Sequence, residues 1–171
     1  MPAIPERRAG AGSQSDIFLS LQARRAGKIK GEAVATGHED EIVVQSWRWG
    51  VNGSSAVGSV KALARRSYTG LTVVKSIDSA TTAIMSALAT NDEIKEAKLT
   101  MRKAGDGQLD FFFITLKGAR IAQVEHSVDA QGDAVEVLTL LFTKVEVEYR
   151  VQQSAGTRGA SSMFADEILA V

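Results

Sequence analysis

Hydrophobic and polar residues alternate along most of this chain with the period of two that a strand half covered by a core requires. In Asp16-Ile17-Phe18-Leu19-Ser20-Leu21, the residues Ile17, Leu19 and Leu21 share one face and Phe18 takes the other, which predicts a first strand. The run Ile42-Val43-Val44-Gln45-Ser46-Trp47-Arg48-Trp49-Gly50 is rich in β-branched and aromatic residues, ends at a glycine and predicts a second. Residues 71–77 predict a third. The period changes once. Ala80, Ala83, Ile84, Ala87 and Leu88 fall on one helical stripe, which predicts an amphipathic helix over about 80–90 with Asp78 or Ser79 as its N-cap. From 94 onward strands return, over 94–103, 109–116, 119–128 and 134–151, and the Gly- and Asp-bearing connectors at 104–107 and 129–133 read as hairpin turns.

In the last of these strands the odd positions Val137, Leu141, Val145, Val147, Tyr149 and Val151 are apolar, apart from Thr139 and Thr143. The even positions pass from Leu138, Leu140 and Phe142 to Lys144, Glu146, Glu148 and Arg150. Such a strand is covered on both faces in its first half and open to water or a polar partner in its second. Residues 51–70 are weakly patterned and carry Asn52-Gly53-Ser54-Ser55 and Gly58-Ser59, so they read as a long extended loop. Many short strands with one helix argue for a mainly β fold, a closed antiparallel β-barrel of two packed sheets with one flanking helix, which removes exposed strand edges. The expected organisation is a flexible extension at 1–15, a barrel domain at 16–151 and a tail at 152–171. The apolar end of that tail, Met163-Phe164-Ala165-Asp166-Glu167-Ile168-Leu169, is expected to dock on the domain or on a neighbouring subunit.

A length of 171 residues suits one such domain, and 44% hydrophobic content supports a folded core. Twenty basic and 20 acidic residues cancel, which removes the cationic field of a nucleic-acid binder. With no cysteine and two histidines, disulfides, thiolate metal sites, cysteine nucleophiles and Ser-His-Asp triads lose their basis. The first 15 residues lack an apolar core and do not read as a secretory signal, and no run approaches the roughly 18 to 20 apolar residues of a membrane helix. The expectation is a chain made in the cytoplasm that, if exported, leaves without a cleaved signal.

Candidate chemistry is sparse, and no catalytic, cofactor-binding or metal-binding set is expected. His38 lies among Glu39, Asp40 and Glu41, where a hydrogen-bonded turn is the better reading than a metal or acid-base site. His126 alternates with Val124 and Val128 and is expected on a half-buried strand face. Glu146 and Glu148 share a strand face roughly 7 Å apart, a glycosidase-like separation, but Lys144 and Arg150 flank them and favour a charge ladder. The pairs Arg24-Arg25 and Arg65-Arg66 read as solvated loops or subunit contacts. Trp47 and Trp49 point to one face as a core pair, which sends Arg48 the opposite way.

Taken in order, Gly37-His38-Glu39-Asp40-Glu41-Ile42, Trp47-Arg48-Trp49-Gly50, the stretch from Tyr68-Thr69 to Lys75-Ser76-Ile77-Asp78, Ile94-Lys95-Glu96-Ala97-Lys98-Leu99-Thr100-Met101-Arg102-Lys103-Ala104-Gly105 and Lys144-Val145-Glu146-Val147-Glu148-Tyr149 resemble the Hcp (haemolysin-coregulated protein) family, over residues 16–149. The resemblance implies a structural subunit of the bacterial type VI secretion tube and no enzyme. It implies homo-hexameric rings that stack, a VgrG spike and a contractile sheath as partners, small secreted effectors held in the lumen, and no nucleic-acid or membrane-insertion role. It implies structural roles for Gly37, His38, Glu41, Trp47, Trp49, Gly50, Lys75 and Asp78, a lumen position for Arg48, where family members often carry a small polar residue, and subunit contacts from Val57, Val60, Leu63, Arg65 and Arg66. A tail-tube protein of another contractile injection system and a monomeric β-barrel carrier of a ligand or effector are the alternatives.

Overall fold

The first alternating run forms strand β1 (Ser15–Ala23), which buries Leu19, Leu21 and Ala23 completely. It belongs to a computed structural model that describes residues 15–54, 65–104, 108–152 and 158–168. The strands that follow are β2 (Gly27–Ile29), β3 (Ile42–Val43), β4 (Ser46–Arg48), β5 (Val51–Ser54), β6 (Arg65–Tyr68) and β7 (Leu71–Ser76). After helix α1 (Thr81–Ala89) come β8 (Ile94–Lys103), β9 (Asp110–Val128), β10 (Ala134–Leu141), β11 (Lys144–Gln152) and β12 (Arg158–Glu167). The main path runs β2-β1-β8-β9-β10-β7-β4, with β11 between β9 and β12, β3 on β1, and β5 paired with β6 as a separate ribbon.

Two layers arise because β9 and its neighbour bend together. The sequence pattern broke β9 between Leu116 and Ala119 and joined β10 to β11. The structure does the reverse. Gly118 lies at φ +55, so β9 turns without ending. Opposite it, Thr143 separates β10 from β11 and donates both its backbone N–H (3.2 Å) and its hydroxyl (3.1 Å) to the Lys117 carbonyl. A Cβ on Gly118 would overlap the Thr143 hydroxyl, so glycine is required there. The first half of β9 pairs with β8 and β11, and the second half with β10. Leu19, Leu21, Ile42, Leu71, Ile84, Ile94, Leu99, Ile114, Leu116, Leu138 and Leu140 form the core, all fully buried.

The closed barrel does not form: the sheets are open. Closure requires one strand bonded along both edges over a common length. Segment 42–48 instead changes partners part-way. Ile42 and Val43 pair with Leu19 and Phe18, and Val44 N–H bonds the Ile17 carbonyl at 2.9 Å. Gln45 N–H then bonds the Val74 carbonyl at 2.8 Å, and Ser46, Trp47 and Arg48 pair with β7. Strands of two and three residues cannot carry both ladders, so among the described residues the free edges of β4 and β12 stay unpaired.

Helix α1 falls where its stripe predicts, burying Ala80, Ile84 and Ala87, while Leu88 remains 38% exposed. Its N-cap is Ala80, with Asp78 Oδ1 accepting the Ala80 N–H at 2.9 Å. Two elements depart from the expectation. The ends of the predicted long loop form the β5–β6 ladder, Val51 opposite Tyr68 and Ser54 opposite Arg65. The predicted tail contains β12, paired along β11 from Lys144 opposite Glu167 to Arg150 opposite Ser161.

Candidate assembly surface

The Trp-Arg-Trp-Gly run begins in β4, the last strand of the main path, and continues past its end at Arg48. Trp47 stacks on Phe112 (centroids 5.8 Å apart) and Trp49 on Tyr68 (5.8 Å), and Tyr68 meets Phe142 edge-on at 5.7 Å. Both tryptophans pack on the core, as alternation requires. Arg48 lies opposite Thr72 on the outer face, exposed, between two open depressions of about 340 and 380 Å³. Gly50 donates its backbone N–H to the Thr69 hydroxyl oxygen at 2.9 Å, which closes the chain into the β5–β6 ribbon.

That ribbon is fastened to β12 through one carboxylate. Arg66 donates to both oxygens of Asp166, with Nη2 to Oδ1 at 2.7 Å, and the Tyr68 hydroxyl donates to Oδ2 at 2.5 Å. These hydrogen bonds, Arg66 first and Tyr68 second, hold the Asp166 carboxyl at about 2. Arg66 is thereby paired within the chain, and both Arg65 and Arg66 are exposed. Val57, Val60 and Leu63 lie outside the described residues. Sequence reasoning missed Asp166, because the tail end was expected to dock through its apolar residues and nothing marked the carboxylate among them as a partner.

Away from this fastening, β12 presents a long edge that is unpaired among the described residues. Met163 is 67% exposed and Phe164 46%, beside Tyr149 and Val151 of β11 at 44% each. The outward face of β11 is the expected charge ladder: Arg150 to Glu148 at 2.8 Å, Lys144 to Glu146 at 3.4 Å and Lys117 of β9 to Glu146 at 3.7 Å. Both carboxylates are thus held by cations. Arg150 also covers Phe113, 4.3 Å from the ring centroid. The basic pair of the first turn is likewise engaged, Arg24 with Glu93 at 2.5 Å and Arg25 with Asp92 at 3.5 Å.

The remaining motif residues sit elsewhere and do not converge on this edge. Lys75 is fully buried on the core face of β7, its ammonium 2.9 Å from Asp78 Oδ1, 3.1 Å from Glu136 Oε1 and 3.4 Å from the Thr81 hydroxyl. Glu136, equally buried on β10, reaches His126 of β9 at 3.0 Å. Burial pushes the Glu136 carboxyl up, but hydrogen bonds from Thr81, His126 and Lys75 outweigh it and hold it below the usual range. Gly37 lies at φ +83, and the turn it makes delivers His38 to Glu41 and Asp110. Among the described residues no group of three or more His, Asp or Glu side chains is placed to hold a metal ion, and no helix is long and apolar enough to cross a membrane.

The comparisons with known proteins agree on one family. The family described as "Type VI secretion system effector, Hcp" matches residues 18–149. This chain belongs to the Hcp family of the type VI secretion system. The hcp1 protein of Pseudomonas aeruginosa is 32% identical over 147 residues, which cover 84% of this chain and 88% of that one. The crystal structure of Hcp1 from Salmonella typhimurium aligns with a TM-score of 0.73 at 30% identity, covering 90% of this chain and 95% of that one. A solved type six secretion system protein aligns with a TM-score of 0.80 at 18% identity, covering 90% and 96%, and supports the fold alone. Hcp membership thus accounts for the order of motifs read along the chain, from the Gly37 turn to β11.

Proposed function

We propose that this Hcp-family chain is the structural subunit of the type VI secretion tube. In this reading it closes into six-membered rings, the rings stack, small effectors ride in the lumen, and the VgrG spike and contractile sheath are its partners. It is made in the bacterial cytoplasm and exported without a cleaved signal. The observation that carries the reading is the ten-residue β12 edge with Met163 and Phe164 exposed on it. A free strand edge with apolar side chains is a template for another chain, and natural proteins cover such an edge or blunt it. Neither proline nor lysine lies between 158 and 167 to blunt this one. Contact between different surfaces of identical copies closes into a ring when its rotation allows.

Arg48 faces the bore in this proposal and makes it locally basic. Electron microscopy of the purified protein tests the assembly: wild type gives rings, and Phe164→Lys, which puts a charge on the edge strand, gives single subunits with an unchanged circular-dichroism spectrum. Rings from Phe164→Lys as abundant as those of wild type would remove the β12 edge from the contact.

A further inference from the structure

The chain between β2 and β3 folds into a loop that lies against β1, β8 and β9. Its backbone closes on itself, with Gly31 N–H to the Asp40 carbonyl at 2.8 Å, Ala33 N–H to the Glu41 carbonyl at 2.9 Å and Asp40 N–H to the Ala33 carbonyl at 3.0 Å. His38 hangs from this loop and is 6% exposed. Its ring lies flat on Phe18 of β1, with centroids 4.3 Å apart and planes 6° from parallel. Nδ1 is 2.8 Å from Glu41 Oε2, and Nε2 is 3.0 and 3.1 Å from the two oxygens of Asp110 at the start of β9. The Arg102 guanidinium of β8 also sits over Phe18, 5.1 Å from its centroid, and reaches the Thr36 carbonyl at 3.4 Å and Asp16 at 3.3 Å.

An ionised carboxylate only accepts hydrogen bonds, and a neutral imidazole has a single N–H to give. Both contacts are hydrogen bonds only when both ring nitrogens carry protons. We infer that His38 is an imidazolium clamp that pins loop 31–41 to β9, and that loss of its proton releases the loop. The charged groups around it are Glu41 and Asp110 at its nitrogens, Glu39 beside it on the loop, and the Arg102 and Asp16 pair that meets the same Phe18. Deprotonation turns one N–H into a lone pair facing a carboxylate. Glu41 is three residues away on the same loop with its side chain 18% exposed, whereas Asp110 is 72 residues away and 31% exposed. Asp110 is the carboxylate that turns out to water, and its bond is the one that ties loop to sheet.

Nitrogen-15 spectra of the imidazole and amide exchange of Gly31, Ala33 and Asp40, corrected for intrinsic rates, test this between about pH 6 and about pH 8.5. At the lower pH both His38 ring nitrogens are protonated. As pH rises the loop amides lose protection by up to about tenfold per unit, the limit when opening releases one proton. Asp110→Asn abolishes this dependence while keeping the loop protected, because its carboxamide N–H donates to the bare nitrogen of a neutral ring. A singly protonated His38 ring at about pH 6 with the loop still protected would overturn the inference. So would the same pH dependence in Asp110→Asn, or wild-type protection that does not change with pH.

Discussion

Replacing Lys75 by methionine tests whether the buried charges between β7, β10 and α1 act as one unit. Lys75→Met keeps the length of the side chain and removes only the ammonium. The structure then leaves the Glu136 carboxylate fully buried, with His126 and Thr81 as its remaining donors, and leaves Asp78 without the cation 2.9 Å away. Removing one member of a buried pair costs about 3–5 kcal/mol, because the surviving charge keeps its desolvation penalty and loses its compensation. Against a total stability of about 5–15 kcal/mol this is a large fraction. For a chain of this size it lowers the midpoint of thermal unfolding by about 6–20 °C, at about 2–4 °C per kcal/mol. Removing both charges in Lys75→Met/Glu136→Leu relieves the stranded carboxylate and recovers most of the loss. The assay is urea unfolding followed by circular dichroism at one fixed protein concentration, so that assembly does not shift the midpoint. The reasoning is refuted if Lys75→Met unfolds within about 1 kcal/mol of wild type, or if the double variant is no more stable than the worse single one.

Three further outcomes follow from the same geometry. The folded-state Glu136 carboxyl lies below its ordinary value, so its contribution is present above the unfolded carboxyl range and is lost as pH falls through the lower, folded value. An acid titration of wild type therefore shows a stability loss that Glu136→Leu lacks. Asp166, at about 2, keeps Arg66 and Tyr68 bound as pH falls through 4, so its carboxyl carbon resonance moves only near pH 2; a midpoint near the ordinary carboxylate value would show that the ribbon is not fastened there. Gly118→Ala destabilises by at least about 1–2 kcal/mol in denaturant unfolding, since alanine meets both the left-handed φ and the Thr143 hydroxyl, and a neutral result would contradict the bend described at this position.

How far the sequence could be read depends on which physical force decides each feature. Alternation around Leu19 and Leu21 and the stripe through Ile84 and Ala87 report burial directly, so β1 and α1 were legible. The pattern left a gap between residues 116 and 119, but a glycine that permits a turn also permits a bend inside one strand, and only its placement against Thr143 separates the two. β12 was hidden because Met163 and Phe164 are both exposed, which erases the alternation that identifies a strand. Closure of the barrel failed as an expectation because it rests on the handover between Val44 and Gln45, a matter of pairing that periodicity does not encode. The buried ion pair had an available signal: Lys75 shares parity with Leu71 and Val73, and Glu136 with Leu138 and Leu140, so both charges were placed on core faces by the pattern itself.

The most direct test of the tube reading is the mass of the purified chain in solution, by light scattering across a dilution series. Six chains of 18.2 kDa, about 109 kDa, held over the series is the predicted result. A mass of one chain at every concentration would contradict it.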